Sequence, residues 1–237
     1  SFFDGGKYNN EDAALKQCEK MISEGADFVD IGTSSSKPGA KEISEDEELN
    51  RLLPTLERIL KEFPGIFFSI DTFRSNVAEK ALDRGAALIN DISAGNLDPK
   101  MLETVGKHKV PFIAMHMQGT PELMQLNPTY KNIIGELIYF FSEKIKEAHS
   151  AGINDIIIDP GFGFGKTIPH NYEILKKLET FQSLNTPILI GVSRKSMIFK
   201  KLGIDASLAL NGTSVLNTVA LSKKAQILRV HDVKEAK

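Results

Sequence analysis

This chain is nearly without cysteine, carries no large excess of either charge and contains no long apolar run. Cys18 is the one thiol in 237 residues, so no disulfide can close within the chain and a reducing compartment is expected. Cys18 itself reads as a small core or boundary residue of a helix rather than a reactive thiol. The formal net charge of -2 offers no basic field to nucleic acid. No apolar run approaches the ~18 residues that a bilayer span requires. Nothing at the start reads as a signal peptide, and with the lone cysteine this makes the cytoplasm the expected location. Neither a linker nor a low-complexity tract divides the sequence, so residues 1–237 are expected to form one domain.

What is present is a repeat. Seven times a short apolar run ends in residues that can do chemistry: at Asp30, Asp71, Asn90-Asp91, His116, Asp159, Ser193-Arg194-Lys195 and Arg229-Val230-His231-Asp232. The segments between read as helix. Polar residues gathered at the C-terminal ends of successive strands imply a (β/α)₈ TIM barrel with one active site at that mouth. Seven strands are visible. The expectation is that the first strand of the barrel and its last helix are missing from this sequence.

Helix signals support the repeat. Gly25-Ala26, Gly85-Ala86 and Gly152-Ile153 each read as a helix end just before a strand. Ser44 with Glu47 forms a capping box, Ser75 is expected to cap a helix, and Asp98-Pro99 reads as an N-cap followed by the first helical residue. Pro54 is expected to interrupt or kink its helix. Residues 118–131 read as a long mobile loop. A helix is expected from about His170 to Thr180.

The glycine loop Gly161-Phe162-Gly163-Phe164-Gly165-Lys166 is not a phosphate-binding P-loop, because a P-loop needs four residues between its first glycine and the Gly-Lys pair. It reads as a wall that lets a flat ligand approach the backbone beside Phe162 or Phe164, or as a bare turn. Asp71, Asn90 and Asp159 end three different strands. A carboxylate can accept two parallel N–H donors from a guanidine-like ring edge, and an amide adds one donor and one acceptor. Their convergence fits a polar heterocycle. A divalent metal would call for a denser cluster of carboxylates or histidines.

Lys195, Arg229 and His231 follow the last two strands, where barrels often hold phosphate, and make a candidate anion site. Alternation in a strand would point Arg229 and His231 the same way and Asp232 away, into a structural role. His116 is either a buried hydrogen-bonded residue or a ligand contact. His108, His149 and His170 are expected at the surface. The loop Ser34-Ser35-Ser36-Lys37-Pro38-Gly39-Ala40 is either a mobile lid or a plain polar loop, and Asp4-Gly5-Gly6 is a similar case.

In this order and spacing, Ser1-Phe2-Phe3-Asp4-Gly5-Gly6, Ser36-Lys37-Pro38-Gly39-Ala40, Ile70-Asp71-Thr72, Ile89-Asn90-Asp91-Ile92, Met115-His116, Asp159 to Lys166, Ser193-Arg194-Lys195-Ser196 and Arg229-Val230-His231-Asp232 span essentially the whole chain. On these motifs the chain closely resembles the dihydropteroate synthases, pterin-binding TIM-barrel enzymes of folate biosynthesis and targets of sulfonamide drugs. The resemblance implies condensation of 6-hydroxymethyl-7,8-dihydropterin pyrophosphate with p-aminobenzoate, giving 7,8-dihydropteroate and pyrophosphate. It implies that Asp71, Asn90, Met115, Asp159 and Lys195 hold the pterin and that Arg229 and His231 hold the pyrophosphate. Ser36, Lys37, Pro38, Phe164, Lys195 and Ser196 would surround p-aminobenzoate, and Asp4 would approach the reacting centre. Asp4, Asp71 and Lys195 are thus the implied catalytic residues.

The implied chemistry is SN1-like, with carboxylates stabilising a pterin methylene cation and no protein nucleophile. Mg²⁺ is the implied cofactor, but the Asn that would accompany it lies upstream of Ser1, so no residue of this chain is assigned to metal. A homodimer is implied, with neither nucleic acid nor membrane as partner. Lys37 stands where the family usually has arginine, and lysine lacks the planar fork of that residue. Two other readings are a pterin-binding methyltetrahydrofolate:corrinoid methyltransferase and a non-catalytic pterin-binding paralogue. The first has no need of an anion site; the second would be expected to lose Asp71, Lys195 or Arg229.

Overall fold

The computed structural model describes residues 11–33, 43–120, 123–124 and 126–237. In that range seven parallel strands alternate with helices. After α1 (Glu11–Ser23) come β1 (Phe28–Ile31), α2 (Glu45–Glu62), β2 (Phe67–Asp71), α3 (Ser75–Leu82), β3 (Leu88–Asp91) and α4 (Met101–His108). Then follow β4 (Phe112–Met115), α5 (Ile133–Ser150), β5 (Ile156–Asp159), α6 (Ile168–Lys176), β6 (Leu189–Ile190), α7 (Ser196–Leu202), α8 (Leu210–Ser222), β7 (Ile227–Leu228) and α9 (Val233–Ala236).

The strands lie side by side in chain order. One ladder runs β1 to β5 and a second joins β6 to β7. An isolated bridge between Ile158 and Ile188 links the two. Arg229, just past β7, reaches Asp30 on β1 at 2.7 Å, so the two ends of the sheet approach one another at the mouth. Parallel strands in this order, each followed by a helix, and a sheet curling back on itself make a TIM barrel. The described residues supply seven of its strands.

Short strands, buried on both faces, explain why the sequence shows apolar runs rather than long alternation. Residues facing the helices, among them Phe68, Ile70, Ile89, Phe112, Ala114, Ile156, Ile158 and Ile190, join the main core. Residues facing the barrel axis form a separate layer of Leu88, Ile113 and Leu189 with Ile157 and Ile227. Cys18 is buried in α1, where desolvation pushes its thiol up to about 11. None of the helices in the described residues is long and apolar enough to cross a membrane.

The three glycine signals end their helices in one way. Ala26, Ala86 and Ile153 each donate a backbone N–H to a carbonyl five residues earlier, and Gly25, Gly85 and Gly152 each donate to one three earlier. This is the Schellman pattern, with the glycine at positive φ.

Several local expectations change. Pro54 does not interrupt α2, which runs through it. Pro54 and Asn50, whose carbonyl loses its helical donor, are both exposed, so water can take the place of the lost bond. Ser44 accepts the Glu47 N–H at 3.2 Å, but the Glu47 carboxylate turns to Arg51 instead of completing the box. Ser75 is the first residue of α3 rather than its cap. Its N–H is taken at 2.7 Å by Asp98, which also accepts from Lys100 N at 3.0 Å. Consequently α4 begins at Met101, later than the Asp98-Pro99 signal suggested. Residues 168–184 divide into α6 and a 3₁₀ segment, Leu178–Leu184. Residues 118–131 contain no helix or strand among those described; Pro121, Glu122 and Gln125 lie outside them.

Candidate active site

Strand alternation builds the site. Leu88, Ile113, Ile157, Leu189 and Ile227 fill the barrel layer. Two residues further along come Asn90, Met115 and Asp159 on the same faces of β3, β4 and β5, with Gly191 and Arg229 just past the ends of β6 and β7. Asp71 is the register partner of Asn90, and Met115 that of Asp159. Asp30 on β1 pairs with Ser69, two residues before Asp71. The predicted pterin residues therefore converge from neighbouring strands.

Arg229 crosses the mouth. Its Nη2 donates to Asp71 Oδ2 at 2.7 Å and forms an ion pair with Asp30 Oδ2 at the same distance. Asn90 Nδ2 donates to the same Asp30 oxygen at 3.1 Å. Burial drives the Asp71 carboxyl up from its ordinary value, Arg229 opposes this, and the charge on Asp30 adds to it. For Arg229, burial alone would lower the pKa, but Asp30, Asp71 and Asp159 outweigh it and the net direction is up. The sequence marked Asp30 as a strand-end acid but assigned it no role in the site. The signal was there, since it too is an acidic residue near the end of its strand.

Lys195 approaches from the β6–α7 connection. Its Nζ donates to the Phe162 carbonyl at 2.6 Å and lies 4.8 Å from the centroid of the Phe164 ring. A Cβ placed on Gly191 would lie 3.9 Å from both Lys195 Nζ and Arg229 Cβ, so the two cationic side chains flank this glycine. Desolvation pulls Lys195 down to about 8, against the attraction of Asp159. Asp159 is pushed up by burial and held back by Lys195 and by the Gly161 N–H, which it accepts at 2.7 Å. Phe164 is buried with Ile92, Met115 and Met124 in a small cluster at the mouth.

The glycine loop departs from its expected role. A Cβ on Gly161, at φ +70°, would fall 2.0 Å from the His116 carbonyl oxygen. One on Gly165 would fall 2.7 Å from the Gln118 oxygen. These glycines let the loop press against the chain after β4, not against a ligand. Only Gly163 faces the site's side chains, its Cβ position lying 3.6 Å from Lys195 Cδ.

Lys166 seals that contact from below. Its Nζ meets His116 Nδ1 at 2.9 Å, the His116 carbonyl at 3.1 Å and the Phe164 carbonyl at 2.9 Å. Burial lowers Lys166 to about 7, with Asp159 opposing. Burial and the Lys166 charge bring His116 down to about 2, so the imidazole is neutral. His116 is thus the buried, hydrogen-bonded residue of the two alternatives, packed edge-on against Phe140.

Other predicted residues diverge. β7 ends at Leu228, so Arg229 to His231 is not regular strand. Arg229 turns to Asp30 and Asp71, whereas His231 Nδ1 meets the Ser193 hydroxyl at 2.9 Å. Asp232 forms a two-toothed pair with Arg194 at 2.8 and 2.9 Å, a structural role as anticipated. Ser196 is the first residue of α7, directly after Lys195. His149 is exposed, but His108 is only half-exposed, and His170 completes a true capping box with Thr167. Asp4, Ser36, Lys37 and Pro38 lie outside the described residues.

Among the described residues, no three His, Cys, Asp or Glu side chains gather as a protein-held metal requires. Asp30 and Asp71 are already engaged with Arg229. The described donor set does not by itself fit the Mg²⁺ that the resemblance implies.

Known proteins resemble this chain over nearly its whole length. Residues 1–231 match the family model described as pterin binding enzyme. The dihydropteroate synthase of Escherichia coli (strain K12) is 41% identical over 99% of this chain and 83% of its own length. The Yersinia pestis dihydropteroate synthase, solved as a sulfonamide drug complex, superposes with a TM-score of 0.96 at 41% identity, covering 100% of this chain and 86% of that one. The Thermus thermophilus enzyme in complex with 4-aminobenzoate gives a TM-score of 0.88 at 36% identity, covering 95% of this chain and 86% of that one. The chain belongs to the dihydropteroate synthase family of pterin-binding enzymes.

Proposed function

We infer that this chain is a transferase that condenses 6-hydroxymethyl-7,8-dihydropterin pyrophosphate with p-aminobenzoate to 7,8-dihydropteroate and pyrophosphate. The observation that carries the reading is one barrel mouth holding Asp71, Asn90 and Asp159 beside Lys195 and Arg229. The first three suit a heterocycle with N–H donors, and Arg229 suits an anionic leaving group.

Asp159 keeps acceptor capacity beyond the Gly161 N–H and takes the guanidine-like edge of the pterin. Asn90 adds one polar contact in the same plane, and Met115 packs against the ring. Arg229 turns toward the pyrophosphate, where His231 completes the anion site. Lys195, lying over Phe164, serves both the pterin and p-aminobenzoate. Ser36, Lys37, Pro38 and Ser196 surround p-aminobenzoate, and Asp4 approaches the reacting carbon.

The C–O bond to pyrophosphate breaks first, and its electron pair leaves with the phosphate oxygen. Asp71 and Asp4 stabilise the methylene cation that remains. The aniline nitrogen then donates its lone pair to form the C–N bond and gives up a proton to solvent water. No protein nucleophile takes part, so a trapped covalent pterin–protein adduct would overturn this mechanism.

Mg²⁺, with its preference for oxygen ligands, is proposed to come with the phosphates rather than to sit in a protein cage. A homodimer in the cytoplasm is proposed too. The exposed Leu202, Leu208, Val215 and Leu221 around α7 and α8 support an apolar subunit contact.

The test is pyrophosphate release with Mg²⁺, with and without p-aminobenzoate, using Lys195→Ala as control. Release that needs p-aminobenzoate, stops with a sulfonamide and fails in the variant is the expected result. Release that ignores p-aminobenzoate would overturn the reading.

A further inference from the structure

Asp30 is held unlike any structural acid nearby. Asp91, on the adjoining helix-facing side, has both oxygens occupied, by Ser93 N, Ser93 Oγ and Gly95 N. Asp30 puts all its bonds on one oxygen. Oδ2 accepts from Asn90 and forms an ion pair with Arg229, while Oδ1 is buried with no hydrogen-bond partner among the described residues. A buried carboxylate oxygen without a donor is costly. A residue kept only to tie strands together would satisfy both.

The bond from Asn90 fixes more than a distance. An ionised carboxylate only accepts, so the amide must offer Nδ2 to Asp30. Asn90 then keeps Oδ1 for the barrel axis, as an acceptor for an N–H of a ring. Without Asp30 the amide could turn over and present a donor instead. Arg229 depends on the same oxygen. Both of its carboxylate contacts use Nη2, so Nη1 and Nε can turn to an anion while Nη2 stays anchored. If a pterin draws Asp71 away, Asp30 still holds the guanidinium over the mouth.

We propose that Asp30 is a positioning residue for the condensation: it orients the Asn90 amide toward the pterin and anchors Arg229 when Asp71 engages substrate. This rests on the reaction inferred above. The probe is 6-hydroxymethylpterin, whose binding is measured by calorimetry alongside the kinetics of pyrophosphate release and a thermal melt.

Asp30→Asn keeps the side-chain shape. Its pterin Kd should weaken roughly tenfold and its kcat fall by about as much, while the melting temperature holds or rises. A charge-bearing Asp30→Glu should recover part of the loss. In an Asn90→Ala background, Asp30→Asn should cost far less pterin affinity, because the two act through one another. Additive effects, or kinetics for a folded Asp30→Asn within about twofold of the parent, would overturn the proposal.

If Asp30→Asn does not fold, nuclear magnetic resonance of the unmodified chain decides. The Asn90 Nδ2 protons should stay protected when pterin binds, and their transfer to the ligand would overturn the idea. Absence of pterin binding by the folded, unmodified chain would overturn both readings. Binding by that chain with an unaffected Asp30→Asn would overturn only this one.

Discussion

Arg229 and Lys166 both bring positive charge to the C-terminal end of the barrel, yet their surroundings are opposite. Arg229 lies between Asp30 and Asp71 at the open mouth, its side chain 31% exposed. Lys166 lies under the glycine loop, 3% exposed, and its hydrogen bonds go to neutral acceptors, two carbonyls and the His116 ring. Carboxylates hold the guanidinium charged through any ordinary pH. Carbonyls cannot fully offset the desolvation of an ammonium, so Lys166 comes down to about 7. The site thus keeps a permanent cation where the proposed anion would arrive and a titrating one where two loops are clamped.

The contrast breaks most severely at Arg229. Arg229→Ala leaves two carboxylates facing each other and removes a donor to the leaving group. The expected loss in kcat/KM is about 10²–10³-fold, read from pyrophosphate release. Next comes the clamp that Lys166 closes. Gly161→Ala combines positive φ with a Cβ 2.0 Å from the His116 oxygen and should cost roughly 3 kcal/mol or more in denaturant melts. Gly163→Ala, with its Cβ at 3.6 Å from Lys195, should cost only the left-handed penalty of about 1–2 kcal/mol.

Lys166→Met sharpens the comparison. It strips the donor from three acceptors, at about 1–3 kcal/mol. It also removes a pH dependence whose sign is fixed. Above about pH 7 the folded chain has released the Lys166 proton, whereas the unfolded lysine keeps its own until near 10.5. The unfolded state binds more protons, so stability rises with pH in that window. The parent's advantage over Lys166→Met should therefore widen from pH 7 upward and stay flat below. A constant difference across melts at several pH values would refute the assignment.

The most gradual effect is the pH dependence set by Lys195, lowered to about 8. An anion wants it protonated, so kcat/KM should fall above about pH 8, approaching tenfold per unit. Lys195→Arg should abolish that limb, because a guanidinium stays charged.

Much of this was legible in the sequence because the barrel repeats it. Leu88 to Asn90, Ile113 to Met115 and Ile157 to Asp159 each step two residues along one face of a strand, from core layer to mouth. Such periodicity is local, and local patterns survive in a linear text. What could not be read needs the chain to fold first. Lys166 meets His116 across 50 residues, and Arg194 meets Asp232 across 38. The direction of His231 depended on where β7 stops, and among the described residues β7 pairs only with β6, over two residues. Asp30 was visible as a strand-end acid, but its worth lies in sharing Arg229 with Asp71, residues that only curvature brings together.

Asp98 links neighbours of another kind. One oxygen secures the first N–H of α3 and the other the N–H of Lys100, next to the start of α4. A single carboxylate thus acts as a common hinge pin for two consecutive strand–helix units. Pulling it, as in Asp98→Ala, frays both helices at once, so in hydrogen exchange α3 and α4 should open to solvent as one cooperative piece rather than in turn.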